Sequence, residues 1–440
     1  MTSGSPDGAS SPRPSGATLA MIEGQSGRAV LANTIRDLGR VPTFLIAMLR
    51  RRNGQSWVFA NIHGFRDSPR YLAEHILHTR PDVTAHWIAH SPDEAAAARA
   101  AGLNVELRGG RAATKIQQHA GVAVFTHGFR DLDLQHLAGA QIIFLWHGTP
   151  LKRIALDVGV GRPTRRSFAV GLTSRLVRSI HRRSFHLVAL FIASGKLEHE
   201  RFMSAFGVSS ERVPILGSPR YDVIRGGPAY GRIVGGDLRA QLGYAPDDRI
   251  VLWLPTHRRE YGDAGWLPRL DGQEVDRALS GTKITLLVKP HPRASWDVYR
   301  ERLPIGHPRV RLLPVTDVDV NCLLHIADAL VSDYSSVVCD YVILERPLYF
   351  LAPDVEQYSD TRGMYDPFET LTDGRHHRDW PSLLAAVRGD FEQPGGGEGI
   401  ALARRMADHL GLNREPQCCQ RIVDAVVASL RVKPAGHVSD

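Results

Sequence analysis

The stretch 329–350 reads Ala-Leu-Val-Ser-Asp-Tyr-Ser-Ser-Val-Val-Cys-Asp-Tyr-Val-Ile-Leu-Glu-Arg-Pro-Leu-Tyr-Phe. A short apolar run ends at Ser332, and Asp333 and Ser335 follow as residue types that cap helix N-termini. Apolar side chains then recur at helical spacing until Pro347 ends the pattern, and a second apolar run begins. The stretch therefore predicts a strand, a turn, a helix and another strand.

The predicted helix covers residues 336–345. Its N-terminus and the hydroxyls of Ser335 and Ser336 are expected to face the crevice beyond the strand's carboxyl end, where unpaired N–H groups attract phosphate. Each such contact contributes only about 0.3–1 kcal/mol, so other groups must help to bind an anion. Taken alone, this stretch favours an ordinary capped helix of an α/β domain, and the phosphate-binding interpretation depends on the other loops.

Composition narrows the class of protein. The chain has 440 residues, 43% of them hydrophobic, which is enough for two to three globular domains. Its formal net charge of +8 allows nucleic acid, an anionic membrane or a phosphorylated substrate as a partner. The four cysteines form no Cys-x-x-Cys pair, which favours a reducing cytoplasm. No apolar run approaches the roughly 20 residues of a membrane-spanning helix, and the N-terminus does not resemble a signal peptide.

Strands and helical stretches alternate along most of the chain, which predicts parallel, doubly wound sheets. We expect a disordered tail over 1–24, a first domain over 25–228 and a second over 229–405. The remaining residues, 406–440, are predicted to form a helix and a tail, and the helix is compatible with a return to the first domain.

The segment 161–187 is the most basic part of the chain. An apolar stripe repeats every four residues and is accompanied by Arg165, Arg166, Arg175, Arg178, Arg182 and Arg183. Such a helix fits an anionic bilayer, where each basic residue contributes about 1 kcal/mol, and it equally fits packing on its own domain with a solvated arginine face. Nucleic acid is not expected, because no reader motif or aromatic interleaving accompanies the charge.

Several loops at predicted strand ends carry side chains suited to ligands. They are Trp146-His147-Gly148-Thr149-Pro150-Leu151-Lys152, Gly217-Ser218-Pro219-Arg220, Pro255-Thr256-His257 and Lys289-Pro290-His291-Pro292. Parallel sheets bind ligands at this edge, so we expect these loops to face a ligand, with purely structural histidines as the alternative. Arg220 is expected either to meet a phosphate or to pair with Asp222.

Taken together, these loops resemble the CDP-glycerol glycerophosphotransferase family, the teichoic acid primases and polymerases. The match runs in order from about residue 57 to 387 and also includes Ser332-Asp333-Tyr334-Ser335-Ser336, Asp340, Arg346-Pro347 and Arg362-Gly363. The resemblance implies an α/β, GT-B-like fold of two Rossmann-type domains facing a central cleft. It also implies that no metal or other cofactor is needed, and that the protein is cytoplasmic and peripheral on the inner face of the membrane.

The implied reaction is attack of an acceptor hydroxyl on the β-phosphorus of CDP-glycerol or a related CDP-polyol, with release of CMP. The acceptor would be a lipid-linked saccharide or polyol phosphate, bound mainly by the first domain. We hypothesise that His147 is the general base and that His291 donates a hydrogen bond to the pyrophosphate or leaving CMP. Substrate-binding roles are expected for Trp146, Gly148, Thr149, Pro150, Arg220, Pro255, Thr256, Lys289, Pro290, Ser335, Ser336 and Asp340.

Other interpretations remain open at this level. Asp340 could only cap the helix or pair with Arg346, and a metal site of His147, His291 and Asp333 is conceivable, although no His-x-x-x-His spacing supports it. A GT-B glycosyltransferase that uses a sugar nucleotide would share the fold. A non-enzymatic scaffold bound to anionic lipid through 161–187 would leave the histidine loops unexplained.

Overall fold

Two parallel β-sheets, one in each half of the chain, organise the computed structural model of this protein. The structure describes residues 41–158, 185–258, 262–314, 318–361, 363–393, 395 and 397–432. The predicted tail over 1–24 and almost all of the basic segment 161–187 therefore lie outside the described residues. Within the described ranges, no helix is both long enough and apolar enough to cross a membrane.

The first sheet has six described strands, all paired in parallel, in the order β3-β2-β1-β4-β5-β6. Every residue of the central strand Ala120–Phe125 is buried, as expected for a parallel strand covered by helices on both faces. The strands are β1 Asn53–Phe59, β2 Thr84–Ala89, β3 Asn104–Leu107, β4 Ala120–Phe125, β5 Gln141–Phe144 and β6 Val188–Phe191.

The second sheet has five described strands, again all parallel, in the order β11-β10-β7-β8-β9. They are β7 Arg249–Trp253, β8 Ile284–Val288, β9 Val310–Leu312, β10 Ala329–Ser332 and β11 Leu348–Phe350. The chain changes direction across the sheet between β1 and β4 in the first half and between β7 and β10 in the second. Ligands of doubly wound sheets bind at such switch points, beyond the carboxyl ends of the strands.

Helices connect the strands and cover both sheets. In the first half they are α1 Val41–Met48, α2 Asp67–Thr79, α3 Pro92–Ala100, α4 Arg111–His119, α5 Lys196–Phe206 and α6 Pro219–Ile224. In the second half they are α7 Pro228–Val234, α8 Leu238–Gln241, α9 Gly272–Leu279, α10 Trp296–Arg302, α11 Val320–Ile326, α12 Val337–Tyr341, α13 Val355–Thr361, α14 Phe368–Thr372, α15 Trp380–Glu392, α16 Gly397–Leu410 and α17 Cys418–Val432. Short 3₁₀ turns cover Leu134–His136, Ala155–Asp157, Ser210–Arg212, Asp263–Gly265 and Val342–Leu344.

The predicted strand–turn–helix–strand unit is present, although its helix is shorter than expected. α12 has five residues and continues as the 3₁₀ turn Val342–Leu344. The hydroxyl of Ser335 accepts a hydrogen bond from the backbone N–H of Val337 (3.3 Å), as a capping side chain should. Asp333 was wrongly predicted as a cap, because its fully buried carboxylate accepts the N–H of Thr256 and pairs with Arg258.

The last helix of the chain returns to the first half. Cys419, Ile422 and Val423 of α17 are buried in the same apolar cluster as Trp57 of β1. The preceding helix α16 contributes instead to the core beside the second sheet, and the proposed boundary at residue 405 falls inside it.

Candidate functional site

A cleft of about 880 Å³ lies between the two halves of the chain. It is lined by these predicted site residues: His147, Arg220, Pro255, Lys289, Pro290, His291, Ser335, Ser336 and Asp340. All of them except Arg220 follow the carboxyl end of a strand or lie in the helix after it, and Arg220 lies in α6. Both predicted catalytic imidazoles thus share one cleft with the two serines.

His147 is held by a tight loop directly after β5. Trp146 has a φ of 55°, the left-handed region that a bulky residue seldom adopts, and its indole packs against Phe144 and Phe206. The ring of His147 is open to the cleft, and its Nδ1 lies 3.4 Å from the carbonyl oxygen of Thr126. Because a carbonyl only accepts hydrogen bonds, this contact favours a proton on Nδ1 and leaves Nε2 as the basic nitrogen.

Two histidines that the sequence analysis missed lie beside His147. The ring of His127 stacks on it, with ring centroids 4.5 Å apart and an angle of 11° between the planes. His63 meets His127 edge-on at 4.5 Å. A signal was present in the sequence, because His63, His127 and His147 each follow a strand and each precede a glycine. β1 and β4 flank the switch point, so their loops were the ones to inspect.

Desolvation keeps these imidazoles neutral. Desolvation at the cleft wall, with Arg220 and His63 nearby, lowers the pKa of His147 to about 4. His127 is more enclosed, and desolvation together with the neighbouring His147 and His63 lowers its pKa to about 2. A neutral His147 can accept a proton across the whole physiological pH range.

His291 has the opposite arrangement of ring nitrogens. The backbone N–H of Arg293 donates to its Nδ1 (3.1 Å), so in the neutral ring the proton lies on Nε2. Desolvation, with the nearby His257 and Arg293, lowers the pKa of His291 and favours that neutral form. One cleft histidine therefore offers an acceptor nitrogen and the other offers an N–H donor.

Gly148 brings the two halves into close contact. Its φ is +129°, and a Cβ atom built there would lie 2.8 Å from the Oγ of Ser336. Only glycine allows this approach, because any side chain would push the loop away from the start of α12. The backbone beside His147 thus touches the serine turn of the second half.

Arg220 links the halves through buried ion pairs. Its guanidinium binds both carboxylate oxygens of Asp340, at 3.0 and 3.1 Å, and Asp67 lies 3.5 Å away. Burial alone would lower the pKa of Arg220, but these carboxylates raise it above its usual range. The pairing with Asp222 that the sequence allowed is not formed, because that carboxylate accepts the backbone N–H groups of Cys418 and Cys419.

Asp340 likewise does not pair with Arg346, the other partner considered from the sequence. Arg346 donates to the carbonyl oxygens of His325 and Ala327. Both carboxylate oxygens of Asp340 already accept hydrogen bonds from Arg220. This limits what Asp340 can offer to a ribose or polyol hydroxyl in the cleft.

Five predicted substrate-binding residues do not line the cleft. Gly148 is the close approach to Ser336 described above, and the other four are used in the wall behind the cleft. Thr149 is 1% exposed, and its hydroxyl lies 3.2 Å from that of Ser194. The carbonyl of Pro150 accepts a hydrogen bond from Arg201 (2.7 Å). The backbone N–H of Thr256 donates to Asp333, and Trp146 packs in the aromatic cluster under His147. The side chains or backbone groups of these four residues support the loops.

The alternative metal site is not supported by this geometry. The carboxylate of Asp333 is fully buried and paired with Arg258, and Asp333 does not line the cleft that His147 and His291 share. In the part of the chain that the structure describes, no group of three or more histidine, cysteine, aspartate or glutamate side chains is placed to hold a metal ion.

Two backbone hydrogen bonds also connect the halves of the chain. The N–H of Arg153 donates to the carbonyl of Gly363, and the N–H of Tyr365 donates to that of Leu151, both at 2.9 Å. The Lys-Arg end of the histidine loop is thereby fixed to the segment around Gly363. Arg362, which carries part of the sequence resemblance, lies outside the described residues.

Two doubly wound domains with a ligand-type cleft between them define the GT-B class, as the sequence resemblance predicted. The structure of the wall teichoic acid polymerase TagF has this fold as well, with a TM-score of 0.67, 22% sequence identity, and coverage of 92% of this chain and 97% of that one. The family model for CDP-glycerol:poly(glycerophosphate) glycerophosphotransferases matches residues 43–401. The chain belongs to this family.

Curated relatives include enzymes named for two different polyols. A teichoic acid poly(glycerol phosphate) polymerase of Staphylococcus epidermidis is 28% identical over 317 residues, 70% of this chain and 42% of its own length. The teichoic acid ribitol-phosphate polymerase TarK of Staphylococcus aureus is 27% identical over 251 residues, 56% of this chain and 45% of its own length. The chain thus spans about half the length of these relatives.

Proposed function

We propose that this protein transfers glycerol phosphate, or a related polyol phosphate, from a CDP-activated polyol to a hydroxyl of a membrane-linked acceptor, releasing CMP in the synthesis of teichoic acid or a related cell-surface polymer. The observation that carries the proposal is the pair of neutral imidazoles with opposite tautomers, His147 and His291, in one interdomain cleft. Family membership supplies the class of reaction.

The cleft histidines take separate roles in the proposed step. Nε2 of His147 removes the proton from the acceptor hydroxyl, and the oxygen of that hydroxyl forms a bond to the β-phosphorus. The bond from that phosphorus to the bridging oxygen breaks, and CMP leaves with the electron pair. Nε2–H of His291 donates a hydrogen bond to the leaving phosphate, which reduces the charge that develops there.

Lys289 and the serine hydroxyls are the proposed phosphate contacts in the second domain. Lys289 and Ser335 line the same cleft as His291, and hydroxyl and ammonium groups suit phosphate oxygens. The dipole of the five-residue α12 is small, so we assign more of the binding to these side chains. Arg220 is proposed to position Asp67 and Asp340 and to contribute little net charge, since both carboxylates already surround it.

The identity of the polyol and the identity of the acceptor are also part of the proposal. Relatives named for glycerol phosphate and for ribitol phosphate are almost equally similar, and we propose glycerol on the strength of the family model's description. A lipid-linked acceptor implies that the protein works at the inner face of the cytoplasmic membrane as a peripheral protein.

The experiment that tests this function measures CMP release with CDP-glycerol, CDP-ribitol and a UDP-sugar, each with a lipid-linked disaccharide acceptor. We expect release from a CDP-polyol, and we expect His147→Ala to reduce it by roughly 100- to 10,000-fold while CDP-glycerol still raises the melting temperature. His119→Ala, at an exposed site on α4, is the matched control. Undiminished turnover by His147→Ala would reject the base, and stabilisation by the UDP-sugar alone would favour a glycosyltransferase.

A further inference from the structure

Helix α1 turns its apolar side chains outward. Leu45, Ile46, Met48 and Leu49 are 55, 59, 57 and 88% exposed, whereas Ala47, on the opposite side of the helix, is 1% exposed. A surface helix of a globular protein normally shows the reverse pattern. Within the described residues, the other exposed large apolar side chains are scattered along the sequence, and single ones are ordinary.

The helix is held firmly in this orientation. Arg52, just after it, donates to the carbonyl oxygens of Gln117 (2.8 Å) and His136 (3.0 Å). These bonds anchor the end of α1 to α4 and to the 3₁₀ turn before β5. The outward apolar face is therefore a feature of a fixed element.

Positive charge borders the apolar face. Arg50 and Arg51 follow Leu49 directly and are both exposed, and residues 38–66 contain no aspartate or glutamate. An exposed apolar helix face bordered by arginines is complementary to an anionic bilayer, which takes up the apolar side chains and attracts the guanidinium groups. In a symmetric pairing of two copies through this face, the arginines of both copies would be brought together, which disfavours self-association.

We propose that residues 45–51, the outward face of α1 together with Leu49, Arg50 and Arg51 directly after it, form a docking surface for an anionic phospholipid bilayer. α1 leads into the amino end of β1, while the cleft lies at the carboxyl ends of the strands, so the surface is separate from the substrate cleft. The proposal deepens the proposed function by naming the surface that brings the enzyme to its acceptor, and it rests on that function only for this purpose.

The test is cosedimentation of the full chain with vesicles of phosphatidylcholine containing 30 mol% phosphatidylglycerol, and with vesicles of phosphatidylcholine alone, as the chosen probes. We expect binding to the anionic vesicles only. Arg50→Gln/Arg51→Gln should weaken it by about 25-fold, at about fivefold per arginine, and Leu45→Gln/Leu49→Gln by at least about tenfold. Lys196→Gln/Lys283→Gln and Ile305→Gln, at exposed sites elsewhere, are matched controls that should bind as the wild type does.

Three results would overturn the proposal. Equal binding by wild type and α1 variants would place the membrane contact elsewhere. A change from dimer to monomer in the leucine variant, seen by light scattering, would identify a second copy as the occupant. A fall in its melting temperature without lipid would show that the chain itself covers the face. CMP release with a water-soluble acceptor should be unchanged in all α1 variants, so failure of the docking surface and failure of the transferase function give different results.

Discussion

At the scale of single residues, the backbone decides what each cleft histidine can do. A carbonyl oxygen lies beside Nδ1 of His147, while a backbone N–H donates to Nδ1 of His291. The same side chain therefore presents an acceptor in one loop and a donor in the other. Neither assignment follows from the residue type, because both tautomers of a neutral imidazole are accessible in water.

The lowered pKa of His147 leads to a prediction about pH dependence. Its base form is the neutral ring, and a pKa near 4 in place of 6.5 means that this form persists as the pH falls through 6.5. We expect kcat/KM for CMP release to stay nearly constant from pH 8 to about pH 5.5 and to fall only as the pH approaches 4. A half-maximal loss near pH 6.5, in enzyme that regains full activity at pH 8, would contradict it.

At the scale of elements, the contact between the loop after β5 and the start of α12 aligns the groups of the cleft. Gly148 permits it, and the turn of Ser335 and Ser336 meets it from the other domain. The five-residue α12 is too short to act mainly through its dipole. It contributes to the cleft by positioning the side chains at its start, Ser335 and Ser336.

Gly148→Ala should separate these elements. The new Cβ would lie 2.8 Å from the Oγ of Ser336, and a misplacement of about 1 Å near reacting groups costs on the order of 100-fold in rate. We expect kcat/KM to fall at least about tenfold. Gly306→Ala is the control, because it also has a positive φ, +103°, but its added methyl group meets nothing within 4 Å. Equal activity of the two variants would mean that the close approach does not matter.

At the scale of the whole molecule, a buried charge connects the two domains. Arg220 contacts Asp340 of the second domain and Asp67 at the start of α2 in the first. Its own helix α6 buries Tyr221 and Val223 in the core beside the second sheet. A guanidinium group that keeps its charge is therefore one of the contacts that fix the relative position of the domains, together with the approach of Gly148 to Ser336 and the backbone bonds around Gly363.

Asp340→Asn should destabilise the protein strongly, because it leaves Arg220 buried with only part of its compensating charge. We expect a loss of about 3–5 kcal/mol in the free energy of unfolding, measured in urea. Asp297→Asn is the control, since its ion pair with Arg300 is exposed and should contribute at most about 1 kcal/mol. If the two variants lose the same stability, the interdomain pair is not important for the fold.

Much of the fold and part of the site could be predicted from the sequence. Alternating strands and helices identified both doubly wound sheets, and glycine or proline beside histidine and lysine marked the loops after β5 and β8. Thr149, Pro150 and Thr256 were predicted to contact substrate because they share those loops, yet their polar atoms are used by Ser194, Arg201 and Asp333. Neighbours along a chain need not face the same way.

Local sequence by itself determined the strands, the turns and the residue types at the carboxyl edges, because apolar periodicity and turn residues act over a few positions. Tertiary structure alone decided which edges meet, that His63 and His127 flank His147, and that Arg220 joins Asp340, 120 residues away along the chain. Within the described residues, it also left the apolar side chains of α1 exposed. These outcomes depend on packing between distant segments, and burial and charge pairing are properties of the folded neighbourhood that no short window of sequence contains.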